Sequence, residues 1–127
     1  SGFLGVSGVS ADMRDVEDAA AAGNKRAELA VKLFYNSILR YVGQYITEMG
    51  GVDGIVFTGG IGENSPETSE EIMKRLAYMG VTINEAENKK RGAETIISGP
   101  DSTVTVMRIP TDEEYMIAQH VWELLGE

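Results

Sequence analysis

Residues 52–80 read VDGIVFTGGIGENSPETSEEIMKRLAYMG, and the local structure of this stretch decides the fold. VDGIVFT, residues 52–58, is a short run with β-branched and aromatic residues, the composition of a buried parallel strand. FTGGIGENS, residues 57–65, then packs Gly59, Gly60 and Gly62 into a tight turn. Ser65 is placed to cap a helix and Pro66 to occupy its first position, where the missing N–H costs nothing. The helix buries Ile72, Met73, Leu76 and Met79 at helical spacing until Gly80 stops it. A strand, a glycine turn and a helix in succession are the building unit of an open α/β sheet.

Working outward, DVEDAAAA from Asp15 to Ala22 favours helix, and Gly23 interrupts it. Asn24 is a cap for a second, long helix running to about Met49, which Gly50 and Gly51 end. The apolar residues of that helix keep three-four spacing from Ala27 to Met49. Leu29, Leu33, Leu39 and Tyr41 widen the stripe until little of its surface is polar. Such a helix is expected to be covered on more than one side, either between layers or partly by another chain. Downstream, VTI (81–83) and TIIS (95–98) read as short strands and NEAENKKRG as a charged helical turn or short helix. GPDS is a turn, TVTVMRI (103–109) alternates as a strand does, and TDEEYMIAQHVWELLG is a closing helix after Pro110. The expectation is an α/β layered domain, with a mainly parallel or mixed sheet flanked by helices, as a single domain over residues 1–127.

The composition excludes several function classes. The chain has 127 residues, 43% hydrophobic and 24% charged, which suits one core of the usual size of about 100–200 residues. It has no cysteine, which removes thiol nucleophiles, disulfides and thiolate metal sites and agrees with a cytoplasmic setting. No stretch reaches the roughly 18–20 uninterrupted apolar residues of a membrane span, and no signal peptide is expected. A formal charge of −9 repels phosphate backbones and anionic membranes, so neither nucleic acid nor membrane is an expected partner. A small anion could bind only through a local site of amides, a cation or a metal.

Three segments carry candidate chemistry. In the glycine turn, Gly59, Gly60 and Gly62 either supply turn geometry alone or let backbone approach a ligand beyond the carboxyl end of a strand. The run is not a Rossmann fingerprint, because Ser65 stands where the third glycine belongs, and it lacks the Gly-Lys-Ser/Thr ending of a P-loop. Glu63 and Glu67 beside it would oppose a bare triphosphate, so the turn better suits a nucleoside portion or phosphates screened by a metal. In SGVSADMRD, residues 7–15, Arg14 between Asp12 and Asp15 is either ion-paired at a helix start or free to lie along a purine ring or fork onto an oxyanion. In IPTDEE, residues 109–114, Thr111 and Glu114 form a capping box. That leaves Glu113 as a helix-dipole carboxylate or a Mg²⁺ ligand. His120, the sole histidine, has no evident triad partner motif and reads as structural or as a surface residue. Met73, Met79, Met107 and Met116 read as core fillers, and the acidic run Glu67 to Glu71 as a solvated first turn.

Taken in order, SGVSADMRD, a long helix, IVFTGGIGENSPE and IPTDEE closely resemble the C-terminal part of the acetokinase family, within the sugar kinase, heat-shock and actin superfamily. The resemblance extends over essentially the whole chain, and GGIGENS is its most specific element. It implies the C-terminal lobe of an actin-like ATPase fold. It further implies an enzyme that reversibly transfers the γ-phosphoryl group of ATP to acetate, giving acetyl phosphate and ADP with Mg²⁺. Carried over residue by residue, it implies nucleotide contacts at Asp12, Met13 and Arg14, with Arg14 against the adenosine. It also implies contacts along the nucleotide at Gly60, Ile61, Gly62, Glu63 and Asn64, and a metal role for Glu113. Dimers form through this lobe in the family, so a homodimer is expected.

Asp112 departs from the family's usual asparagine and adds a carboxylate beside the expected metal. The family's catalytic arginines, histidine and aspartate, and its main phosphate-binding loop, lie upstream of the matched portion. No catalytic residue is therefore assigned in this chain, and it is expected to be inactive alone. The alternative from another class is a non-catalytic α/β binding or dimerisation module.

Overall fold

The computed structural model describes residues 3–6, 12–58, 66–90 and 94–109. Strand β1 (Phe3–Val6) leads through helices α1 (Asp12–Ala21) and α2 (Lys25–Met49) to strand β2 (Gly54–Thr58). Helix α3 (Pro66–Arg75), a 3-10 turn (Ala77–Met79), the short helix α4 (Glu85–Asn88) and strands β3 (Thr95–Ile96) and β4 (Thr105–Ile109) follow. The strands make one four-stranded sheet in the order β1-β2-β4-β3. β1, β2 and β4 run parallel, and β3 is antiparallel to β4. This is the expected α/β layered architecture, with a mixed sheet.

The local signals explain most of these elements. The Asn24 side chain accepts a hydrogen bond from the Ala27 amide at 3.1 Å and so caps α2. Gly50, in the left-handed region at φ 75°, ends it. α3 begins at Pro66 as expected. Its continuation tightens into the 3-10 turn before Gly80, whose φ is +93°. A Cβ at Gly80 would also meet the Thr103 side chain at 2.5 Å, so this glycine serves both the turn and a close lateral contact.

The core lies between the sheet and the two crossover helices. Ile55, Phe57 and Val106 from the strands pack with Ile38 and Val42 of α2 and with Ile72 and Met73 of α3. β2 is buried along its whole length, as a strand in the middle of a parallel sheet should be. Met73 and Met107 are buried core fillers and Met79 is half-buried, as expected.

Two expectations, for VTI and for the acidic run, are corrected. VTI is not a strand: only Ile83 pairs, in a single bridge with Ser98. The chain has no room for more, because Asn84 at once caps α4 by accepting from the Glu87 amide. β4 is the strand expected of TVTVMRI, and its residues Val106, Met107, Arg108 and Ile109 are all buried. α2 is covered on more than one side, by the sheet and by α1, while Leu29, Leu33, Tyr41 and Tyr45 stay exposed along one i, i+4 row. The acidic run is solvated only in part, since Thr68 and Ser69 within it are fully buried. β1 was not anticipated, because FLGV is short and glycine-interrupted and shows no period until its pairing with β2 is seen. Pro110 and the expected closing helix lie outside the described residues. Among the described residues no helix is long and apolar enough to cross a membrane.

Candidate functional site

The register of the sheet determines where the three motif segments start. Val6 pairs with Phe57, and Thr58 pairs with Ile109, so the carboxyl ends of β1, β2 and β4 finish level along one edge. SGVSADMRD continues from β1, FTGGIGENS overlaps the end of β2, and IPTDEE begins at the last residue of β4. Segments far apart in sequence thus leave the sheet side by side, at the edge where open α/β sheets bind ligands. Asp12, Met13 and Arg14 are the first three residues of α1. Gly60, Ile61, Gly62, Glu63, Asn64 and Glu113 lie outside the described residues, as do Ser65, Asp112, Glu114, Met116 and His120.

Thr58 marks this edge chemically. It is 6% exposed, and its hydroxyl has no hydrogen-bond partner among the described residues. An unpaired buried polar group costs about 1–3 kcal/mol, which a valine of the same shape would avoid. By strand alternation Thr58 shares a face with Val56, opposite the face that Ile55 and Phe57 turn to the helices. A hydroxyl of this kind fits a polar ligand, such as a nucleotide, at the strand ends and does not suit an apolar one. For a metal, no group of three or more His, Asp or Glu residues converges among the described residues. The one metal candidate from the sequence, Glu113, is outside them.

Behind the edge stands a polar cluster that the sequence reading did not single out. Arg108 of β4 is 1% exposed. Its Nη1 donates to the carbonyls of Asn88 at 2.8 Å and Lys90 at 2.9 Å. Its Nη2 donates to Ser69 Oγ at 2.7 Å and Asn88 Oδ1 at 2.8 Å. Asn88 Nδ2 donates to the Pro66 carbonyl at 3.0 Å, and the Ser69 hydroxyl has that carbonyl (3.1 Å) and Asn88 Oδ1 (2.7 Å) as acceptors. Elsewhere the Tyr35 phenol of α2 donates to Glu17 Oε2 of α1 at 3.1 Å, and Thr68 of α3 is fully buried. Burial first, and the Glu17 carboxylate second, push the Tyr35 phenol well above its ordinary range, so it remains a protonated donor at neutral pH. The detectable signal was Arg108 itself, a charge in register with Val104 and Val106 on the apolar side of an alternating strand.

The ion pairs on the outer surface of α3 and α4 contrast with this cluster. Arg75 pairs with Glu71, Lys74 with Glu70 and Lys90 with Glu87, all at helical spacing and partly exposed. Pairs of this kind contribute little to stability. The Lys90 ammonium, and after it the Thr95 hydroxyl, hold the Glu87 carboxyl below the usual carboxylate range.

With this geometry in place, comparison with known proteins gives one answer. The model of the acetokinase family matches residues 1–119. The chain is 50% identical over 125 residues to an acetate kinase of Desulforamulus reducens, covering 98% of this chain and 32% of that protein. A crystal structure of Porphyromonas gingivalis acetate kinase superposes with a TM-score of 0.74 at 47% identity, over 92% of this chain and 30% of the other. A propionate kinase structure from Francisella tularensis gives a TM-score of 0.69 at 38% identity, over 84% of this chain and 27% of the other. The chain therefore spans about a third of the length of the curated relatives it matches.

Proposed function

The chain belongs to the acetokinase family, and we propose that it is the C-terminal nucleotide-binding lobe of an acetate kinase that works in the cytoplasm. The whole enzyme would transfer phosphoryl reversibly between ATP and acetate. The observation that carries this reading is the level finish of β1, β2 and β4, with the unpaired Thr58 hydroxyl at the middle strand.

In this reading each segment has a separate task. Arg14, with Asp12 and Met13, holds the adenosine, the guanidinium lying along the purine face. Gly60, Ile61 and Gly62 let backbone run close to the nucleotide, and Glu63 and Asn64 complete that contact. Glu113 holds Mg²⁺, directly or through water, beside the carboxylate of Asp112. When bound, MgATP supplies the transferable phosphoryl group and the metal charge that offsets the phosphates. The contribution of this chain is to bind and orient the nucleoside end. The groups that would meet the γ-phosphoryl belong, by resemblance, to the upstream part of the family's sequence.

Calorimetric titration of the purified chain with MgADP and with MgATP tests the proposal. Saturable binding is expected, weakened about tenfold in Arg14→Ala and in Asn64→Ala, the size of one good polar contact. Thr58→Val should weaken binding without lowering the unfolding midpoint, since it removes a hydroxyl that has no partner among the described residues. Absence of saturable heats with the folded wild-type chain would overturn the reading.

A second role is favoured by one observation, the exposed row on α2. Leu29 and Leu33 are each 58% exposed, Tyr41 and Tyr45 continue the row, and the two tyrosine rings lie 4.6 Å apart. A row of large apolar side chains of this kind suits burial against a second copy of the chain, giving a homodimer. Sedimentation at roughly tens of micromolar, a working range for a moderate interface, should show dimer. Leu33→Glu should return it to monomer, and a monomeric wild-type chain contradicts this role.

A further inference from the structure

We infer that the hydrogen bond from the Tyr35 phenol to Glu17 is a positioning contact, which holds α1 at a fixed angle on α2 and so sets where the first turn of α1, Asp12 to Arg14, stands. The part of this inference that concerns a ligand rests on the nucleotide reading above, whereas the hold on α1 does not. α1 has only ten residues, fewer than the roughly 12–15 at which an isolated helix becomes even marginal in water, so it depends on packing. Its sequence supplies little to pack with. From Asp15 onward Val16 is the one apolar side chain larger than alanine, and none of residues 15–21 is buried. Among the described elements α1 packs mainly on α2. Contacts through alanine methyls bury little area and leave the angle between two helices poorly fixed.

The far end of α1 is held by the chain itself. In the turn to α2 the amides of Ala22, Gly23 and Asn24 bond back to the carbonyls of Asp18, Ala20 and Ala19, with Gly23 at φ 97°. The first turn has no such tie to α2. At about 1.5 Å per residue Arg14 stands about 10 Å from Ala21, so a tilt of about 10° at the turn moves it by about 2 Å. That is enough to break an aligned polar contact. Glu17 lies between, one helical turn from Arg14 and one from Ala21. Tyr35, 18 residues away, belongs to a helix anchored in the core by Ile38 and Val42. The bond thus ties a weakly packed helix to a firmly packed one, and its carboxylate acceptor makes it one of the stronger kinds. Its loss should release α1 and leave the sheet core intact, because local stability follows local packing.

The test compares the wild-type chain with Tyr35→Phe, Glu17→Met, Glu17→Gln and the double variant of the first two. Two readouts are taken: native-state exchange of the Asp18, Ala19 and Ala20 amides of α1 against those of Val42 in α2 and Val56 in β2; and titration with MgADP. Tyr35→Phe keeps the ring and removes the donor. Protection in α1 should fall about tenfold, the effect of one hydrogen bond, while Val42 and Val56 keep theirs. MgADP affinity should fall by a similar factor. Glu17→Gln retains an acceptor oxygen and should keep most of both, whereas Glu17→Met should not. The double variant should be no weaker than the weaker single one, since each change removes the same bond. Protection of α1 that is unchanged in Tyr35→Phe, or that falls equally in α1, α2 and β2, overturns the inference. Unchanged MgADP affinity beside a released α1 overturns the positioning role. If the wild-type chain binds no MgADP, the nucleotide reading fails by itself, and the exchange contrast with its glutamine rescue still upholds or overturns the hold on α1.

Discussion

Incubated with MgATP and acetate, the purified 127-residue chain is expected to form no acetyl phosphate above the blank. Phosphoryl transfer asks little covalent chemistry of a protein and a great deal of positioning and charge neutralisation around the moving group. By resemblance, the arginines, histidine, aspartate and phosphate-binding loop that would supply these lie in the upstream part of the family's sequence. Removing a single preorganised donor at a developing charge commonly costs about 10²–10³ in rate, so removing the whole set takes turnover below detection. The measurement is a coupled or hydroxamate assay with the folded chain at high concentration. Turnover proportional to protein and sensitive to Arg14→Ala would overturn the assignment of catalysis to the upstream part. A silent assay beside saturable MgADP binding is the combination that marks a binding lobe.

The second large effect concerns the core that carries the site. Phe57→Ala should destabilise the chain by about 3–5 kcal/mol, the usual cost of deleting a buried aromatic side chain. Phe57 is 0% exposed, lies in the central part of the sheet, and packs between α2 and α3 with Ile38, Val42 and Ile72. Total domain stabilities are only about 5–15 kcal/mol, so the variant should unfold at markedly lower urea, and a fraction of it should be unfolded in buffer. Tyr78→Ala is the control. That residue is 82% exposed, and its loss should change stability by no more than about 0.5 kcal/mol. A Phe57→Ala cost below about 1 kcal/mol would mean that the core does not depend on this strand.

Much of the architecture was legible because the signals were local. Asn24 and Gly50 bound α2 through groups one turn away, and Pro66 begins α3 through its own fixed φ. The run GIVFT announced a buried strand by composition alone. The short elements were less legible. β1 becomes a strand only through its ladder to β2, and VTI fails to become one because Asn84 captures the chain for α4 after one bridge. In both cases the competitor is a contact distant in sequence, which no window of residues contains.

The candidate site divides along the same line. The amino-acid sequence by itself determined the three motif segments and the family to which they belong, because each depends on neighbouring residues or on wording. Only the tertiary structure decided that these segments leave one sheet edge level with one another, since parallel register is set by hydrogen bonds between strands dozens of residues apart. It also decided the role of Arg108. In sequence that residue is a charge in an apolar strand. In the fold it is buried, and its forked donors meet Ser69 and Asn88, 39 and 20 residues away. A buried charge is tolerated only where such partners converge, and convergence is a property of the folded chain.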